Sequence, residues 1–205
     1  MRYNFLEGAS SRTLLLFHGT GGSMNDLIPL ARKLDAQASI VAFEGDVEEA
    51  GMKRFFKRHS AGVFDEEDLI HRTDVLAETI KNLSNKYEFL LQETTAIGYS
   101  NGANIVLSLL LRHGGIVKSA FLHHPMPPYQ EPPKPSLENV DVFVGAGQND
   151  PMTSKKDTIR LTNHLKHCQA SVHLYWHKQG HDLTENEIFA AMREYRRIHK
   201  IGSDG

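Results

Sequence analysis

Ile97-Gly98-Tyr99-Ser100-Asn101-Gly102-Ala103 is the stretch on which the reading of this 205-residue chain turns. It fits Gly-x-Ser-x-Gly, a tight strand-to-helix turn that lifts a serine hydroxyl clear of a sheet. The pattern fixes only three positions, so its flanks decide. Thr94-Thr95-Ala96-Ile97 upstream is short and β-branched, as a buried strand is. Ala103 to Leu111 downstream is mostly apolar and stops at His113-Gly114-Gly115, as a helix with a glycine terminus does. The turn requires a positive φ at Ser100. It also requires small neighbours at Gly98 and Gly102, where strand and helix backbones come close. An ordinary Gly/Ser turn is the competing reading, and the rest of the chain has to separate the two.

Moving outward towards the N-terminus, Asp65-Glu66-Glu67-Asp68 opens a long helix with acidic residues where the macrodipole is positive. Leu69, Ile70, Val75, Leu76, Ile80 and Leu83 are the candidates for its buried side. Glu44 to Phe64 shows no clear period and reads as a long loop, a class of segment that is often functional. Ser39 to Phe43 and Thr13 to His18 are strands; the second is a continuous apolar run suited to burial on both faces. Between them, Gly19-Thr20-Gly21-Gly22-Ser23 is a turn, and a helix runs from about Asn25 to Leu34 with Pro29 in its first turn. Tyr3 to Leu6 is a short edge strand.

Towards the C-terminus, Ser119 to His123 is a strand that enters a proline-dense surface loop, Pro125 to Pro135. Val140 to Gly145 is a strand closed by Gly147-Gln148-Asn149-Asp150-Pro151, strong turn chemistry. Lys155 to His167 is an amphipathic helix. Ser171 to Trp176 alternates as an outer strand does, and Thr184 caps a last helix to His199. Strand and helix alternate without an internal repeat. That order predicts an α/β fold: one domain over 1–205, with a mostly parallel sheet of about six to seven strands and helices on both faces.

Composition excludes several classes. A net charge of −2 and a pI near 6.6 give no electrostatic footprint for nucleic acid or for an anionic membrane. The one cysteine, Cys168, permits no internal disulfide. The first residues lack a signal-peptide apolar run, and no stretch approaches membrane-spanning length, so the expectation is a cytoplasmic protein.

In open α/β sheets, sites form at the carboxyl ends of the strands. Four reactive positions follow strands on that rim: Gly19-Thr20, Ser100, Asp150 and His181. A serine hydroxyl needs a base to take its proton as it attacks. Histidine fits, with a reference pKa of about 6.5. A carboxylate then fixes the ring and stabilises its charged form. The chain order Ser100, Asp150, His181 is the order associated with α/β-hydrolases. The developing oxyanion requires preorganised N–H donors, expected from the amides of Asn101 and Thr20.

The segments Phe17-His18-Gly19-Thr20-Gly21-Gly22, Gly98 to Gly102, Gly145 to Pro151 and Gly180-His181 resemble the phospholipase/carboxylesterase, acyl-protein thioesterase-like branch of the α/β-hydrolases. Arg54 to Arg58 with Gly62 to Leu69 resembles more narrowly the small bacterial hydrolases linked to methylhydroquinone resistance. The similarity spans nearly the whole chain. It implies an α/β-hydrolase fold without a large lid domain and a serine hydrolase for carboxylic esters or thioesters that needs no cofactor. It also implies nucleophile Ser100, acid Asp150 and base His181, with Thr20 and Asn101 at the oxyanion hole. The partner implied is a small-molecule ester or thioester; nucleic acid and membrane are not expected, and a homodimer stays open. Hydrolysis of a lactone or C–C bond by the same triad, and a non-catalytic binding role for the fold, are the alternatives.

Lesser candidates complete the list. Phe55, Phe56, Phe64, Met126 and Met152 are candidate walls of an acyl pocket, with core packing as the competing reading of each. His18 reads as a tie between loops, His123 and His124 as packing at the rim, and Arg54, Lys57 and Arg58 as a solvated face. His164 and His167 share a helix face but lack further ligands at metal spacing, so no metal is expected.

Overall fold

The computed structural model describes residues 1–202. Its frame is a seven-stranded sheet in the order β1-β3-β2-β8-β9-β10-β11. The strands are β1 (Arg2–Leu6), β2 (Thr13–Phe17), β3 (Ser39–Glu44), β8 (Thr94–Tyr99), β9 (Ser119–His123), β10 (Asp141–Gly147) and β11 (Ser171–His177). Every pairing is parallel except β1 with β3, where the first strand closes an edge antiparallel.

Two-residue periodicity divides the core between the faces of this sheet. Leu15, Phe17, Val41, Phe43, Ala96, Leu122 and Val144 point to one side. There they meet α2 (Glu66–Tyr87), α3 (Asn101–His113) and α4 (Lys155–His167). Leu14, Leu16, Ile40, Ile97, Phe121 and Phe143 point to the other, against α1 (Ile28–Leu34) and α5 (Glu185–His199). Residues facing both ways are apolar because both faces are covered, which is why these strands read as continuous hydrophobic runs. This is the α/β-hydrolase architecture. Among the described residues no helix is long and apolar enough to cross a membrane.

Local departures from expectation have local causes. Helix α1 starts at Ile28, not Asn25, because Ser23 and Asp26 close a turn on each other: Ser23 Oγ–H donates to Asp26 Oδ1 at 2.6 Å and the Ser23 N–H to Oδ2 at 3.1 Å. Helix α2 buries Leu69, Thr73, Leu76, Ala77, Ile80 and Leu83. Val75 lies off that stripe and is exposed, a correction to the expected face.

The segment 44–64 is not a structureless loop. It folds as two small hairpins, β4 (Val47–Glu49) with β5 (Met52–Arg54) and β6 (Arg58–Ser60) with β7 (Val63–Phe64). The first turns through Ala50-Gly51, with φ of 51° and 78°, the pair of positive angles that a tight hairpin needs. Strands of two or three residues are too short to show a period, which is why the sequence does not announce them.

Candidate active site

Ser100 stands between β8 and α3 with φ 52° and ψ −113°, the strained turn that the motif requires. Its neighbours must be glycine. A Cβ on Gly102 would lie 2.0 Å from the Phe17 carbonyl oxygen, and one on Gly98 would lie 2.5 Å from the Gly102 backbone. The N-terminus of α3 is therefore pressed against the end of β2, which brings the Gly19-Thr20 turn beside the elbow. His18 braces that turn: its Nε2 accepts from the Gly45 N–H at 3.1 Å. Its ring is buried and held below the ordinary histidine pKa by desolvation.

Three side chains then form a chain of hydrogen bonds. Asp150, after β10, is all but enclosed. Its carboxyl lies below the usual range: burial opposes the charge, but bonds from His124 and His181 outweigh it. An ionised Asp150 accepts at Oδ2, so His181 carries its proton on Nδ1 and donates at 2.7 Å. His181 Nε2 is left as an acceptor, and the Ser100 Oγ–H donates to it at 2.8 Å. Asp150 Oδ1 is fixed by the N–H groups of Met152 at 2.7 Å and Thr153 at 3.3 Å. The Tyr99 hydroxyl donates to the His181 carbonyl at 2.6 Å, so the residue before the serine also holds the loop that carries His181. Such a chain can remove a proton from Oγ as it attacks and return it to a leaving group.

Neither the Asn101 nor the Thr20 backbone N–H donates to a protein acceptor among the described residues. Both side chains are engaged elsewhere. Asn101 Oδ1 accepts from the Phe55 N–H at 2.8 Å, and Thr20 Oγ1 accepts from Arg54 Nη1 at 2.7 Å. Arg54 is buried, not part of a solvated face, and ties the first hairpin to the turn after β2.

The expected pocket wall needs correction. Phe55 and Phe56 are fully buried. Phe55 packs edge-on to Phe17, and Phe56 edge-on to the half-buried Phe64. Two aromatics in succession on a hairpin end were drawn into the core under β2 rather than left to line a cleft. Met126 is half-buried, its N–H donating to Asn104 Oδ1 at 2.7 Å, and Met152 is exposed. An open cleft of about 360 Å³ lies instead beside the elbow, lined by Gly19, Thr20, Asp26, Leu27, Tyr99 and Asp182.

Sequence reasoning missed one group altogether. Glu187, on α5, is wholly buried next to His123, His124 and His177. The signal was available: Glu187 precedes Ala190, Ala191 and Tyr195 by three, four and eight residues, so a carboxylate sits on the apolar face of its helix. His164 and His167 are occupied by the Pro133 and Asn163 carbonyls, both at 2.7 Å.

Fold and relatives together define the class, an α/β-hydrolase-type enzyme. More narrowly, the chain belongs to the dienelactone hydrolase family, whose profile matches residues 17–194. It is 42% identical over 196 residues to "Putative hydrolase MhqD" of Bacillus subtilis (strain 168), covering 96% of this chain and 98% of that one. The crystal structure of the Bacillus cereus carboxylesterase superposes with a TM-score of 0.94 at 42% identity, over 97% of this chain and 94% of that one. A carboxylesterase from Mesorhizobium loti follows at a TM-score of 0.89 and 29% identity, over 94% and 92%. The resemblance to carboxylesterases read from the sequence agrees with these neighbours, and the chain is a hydrolase.

Proposed function

We propose that the protein cleaves a carboxylic ester or thioester through an acyl-enzyme, with Ser100 as nucleophile, His181 as general base and Asp150 as the carboxylate behind it. The observation that carries this reading is the continuous bond chain from Oγ of a serine at positive φ, through both nitrogens of His181, to a buried ionised carboxylate. In the first step Oγ bonds to the acyl carbon, its proton passes to Nε2, and the amides of Asn101 and Thr20 receive the negative charge on the carbonyl oxygen. The proton then goes to the leaving alcohol or thiol. Water, activated by the same nitrogen, releases the acid and restores Ser100. Among the described residues no insertion forms a lid domain over Ser100, which favours short or medium acyl groups. A lactone, an ester closed on itself, is the second reading, favoured by the family's description as dienelactone hydrolases.

The test is a panel of chromogenic esters of increasing acyl length, thioesters and lactones, with Ser100→Ala as control and a fluorophosphonate probe for the serine. Turnover that falls with acyl length and labelling confined to Ser100 are expected. No hydrolysis and no labelling would overturn the reading, and best turnover of long acyl chains would overturn the substrate class.

A further inference from the structure

We propose that His124 is a positioning residue for this centre: protonated on both ring nitrogens, it clamps Asp150 to the buried Glu187. The proposal rests on the triad reading above and extends its bond chain inward by two residues.

Carboxylates face the ring of His124 at both nitrogens. His124 is buried, with Nδ1 3.0 Å from Asp150 Oδ2 and Nε2 3.1 Å from Glu187 Oε2. A neutral imidazole has one donor and one acceptor nitrogen. Each nitrogen faces a carboxylate oxygen, and Nε2 also lies 3.3 Å from His177 Nε2. A lone pair on Nδ1 would be repelled by Asp150; one on Nε2 could accept from His177 but would be repelled by the nearer Glu187 oxygen. Both carboxylates are ionised. Burial alone would raise Glu187, but bonds from His123 and His124 hold it at about 2. Burial likewise opposes the charge on His124, and its bonds to Glu187 and Asp150 outweigh that, raising it above an ordinary histidine. Two carboxylates this deep require a cation between them. Among the described residues, His124 is the side chain that bonds to both.

The backbone aims the ring. His124 has φ 54°, and its N–H donates to the Gly145 carbonyl at 2.8 Å. Gly145 admits no side chain, since a Cβ there would fall 1.8 Å from Glu187 Oε1. Strain and a glycine thus converge on one carboxylate–imidazole contact.

His124, His177 and Glu187 also have the spacing of a metal site. The tautomer of His177 argues otherwise: its Nδ1 accepts the Gln179 N–H at 3.2 Å, so the proton resides on Nε2, the atom that would have to bind the metal. That proton points at Glu187 Oε2, 3.2 Å away.

Asp150 Oδ2 therefore serves two imidazoles, and their ring centres lie 5.1 Å apart. A fixed positive charge so close to His181 repels a second charge there, so removing it should change the acid limb of the pH profile. The groups facing His124 are Asp150 after β10, Glu187 on α5, His177 at the end of β11, His181 in the loop beyond, Tyr99 on β8 and its neighbour His123.

The experiment compares pH profiles of kcat and KM for His124→Asn and Glu187→Gln with the unaltered enzyme. Loss of the charge in either variant should move the acid limb of kcat/KM upward by about one pH unit. It should also lower kcat about tenfold with KM nearly unchanged. Activity that falls equally at all pH values, with the limb in place, would overturn the proposal. A measurement on the unaltered protein covers variants that do not fold: histidine ¹⁵N spectra should show one buried ring protonated on both nitrogens at pH 7. A neutral ring there, or stoichiometric zinc in the purified protein, would overturn the clamp. The spectra do not depend on turnover, so failure of the clamp is separable from failure of the triad reading.

Discussion

The two halves of the site are held by different physics. The elbow side, made by β2, β8 and α3, is fixed by backbone against backbone: Ser100 keeps its φ because Gly98 and Gly102 leave no gap for anything larger. The proton-handling side, made by the ends of β9, β10 and β11 and by α5, is fixed by bonds between buried charged side chains: Asp150, His124, Glu187 and their partners. Steric fixing is local in sequence and indifferent to pH. Electrostatic fixing joins distant residues and responds to protons.

The contrast is sharpest in two substitutions at the reacting end. Ser100→Ala removes the proposed nucleophile and nothing that supports the fold. Hydrolysis should fall by roughly 10⁴–10⁶, with the melting temperature within about 2 °C of the parent. Asp150→Asn should lower kcat by roughly 10³–10⁴, since an amide cannot hold His181 in its working tautomer. It also leaves His124 without one of its two counter-charges, so here the melting temperature should fall by several degrees. Equal thermal stability of the two variants would remove the distinction between the halves.

Gly102→Ala probes the steric side. The added methyl would sit 2.0 Å from a backbone oxygen of β2, which no rotamer relieves. The expected result is a loss of more than about 4 kcal/mol, seen as insoluble protein or a greatly lowered urea midpoint. A stable, active alanine variant would show that strand and helix can part without harm.

The same difference decides what was legible in the sequence. Steric constraints leave contiguous marks, so Gly98 to Gly102, the apolar run of β2 and the Asp150-Pro151 turn could be read in place. The alternation of strands and helices, the reactive rim and the hydrogen-bonded trio at Ser100 all follow from marks of that kind. The charge cluster leaves almost none, because His124, His177 and Glu187 stand apart in the chain and the two histidines look ordinary alone. Glu187 alone gave a hint, as a carboxylate among alanines on an apolar helix face. The Phe55-Phe56 pair was ambiguous for the opposite reason: a segment without a period does not say whether its rings line a cleft or pack inward, and two short hairpins carry both into the core.

Acid unfolding gives the finest test of the electrostatic half. The folded carboxyl of Glu187 lies at about 2 against an ordinary 4.5, so the folded state binds its proton less readily than the unfolded chain does. Stability from this group is complete above about pH 5 and is lost as pH falls from 4.5 towards 2. The full difference corresponds to about 3 kcal/mol at most. His199 adds an independent earlier loss. Burial holds it at about 4, so its contribution is present above the ordinary histidine value and disappears between roughly pH 6.5 and 4. Glu187→Gln retains the His199 step and abolishes the later one. Urea midpoints at pH 5, 4 and 3 should therefore converge for parent and variant, as the parent alone loses the carboxylate. Curves that stay parallel to pH 3 would mean that Glu187 is not held as an ion, and the second half of the site would then be fixed by shape, like the first.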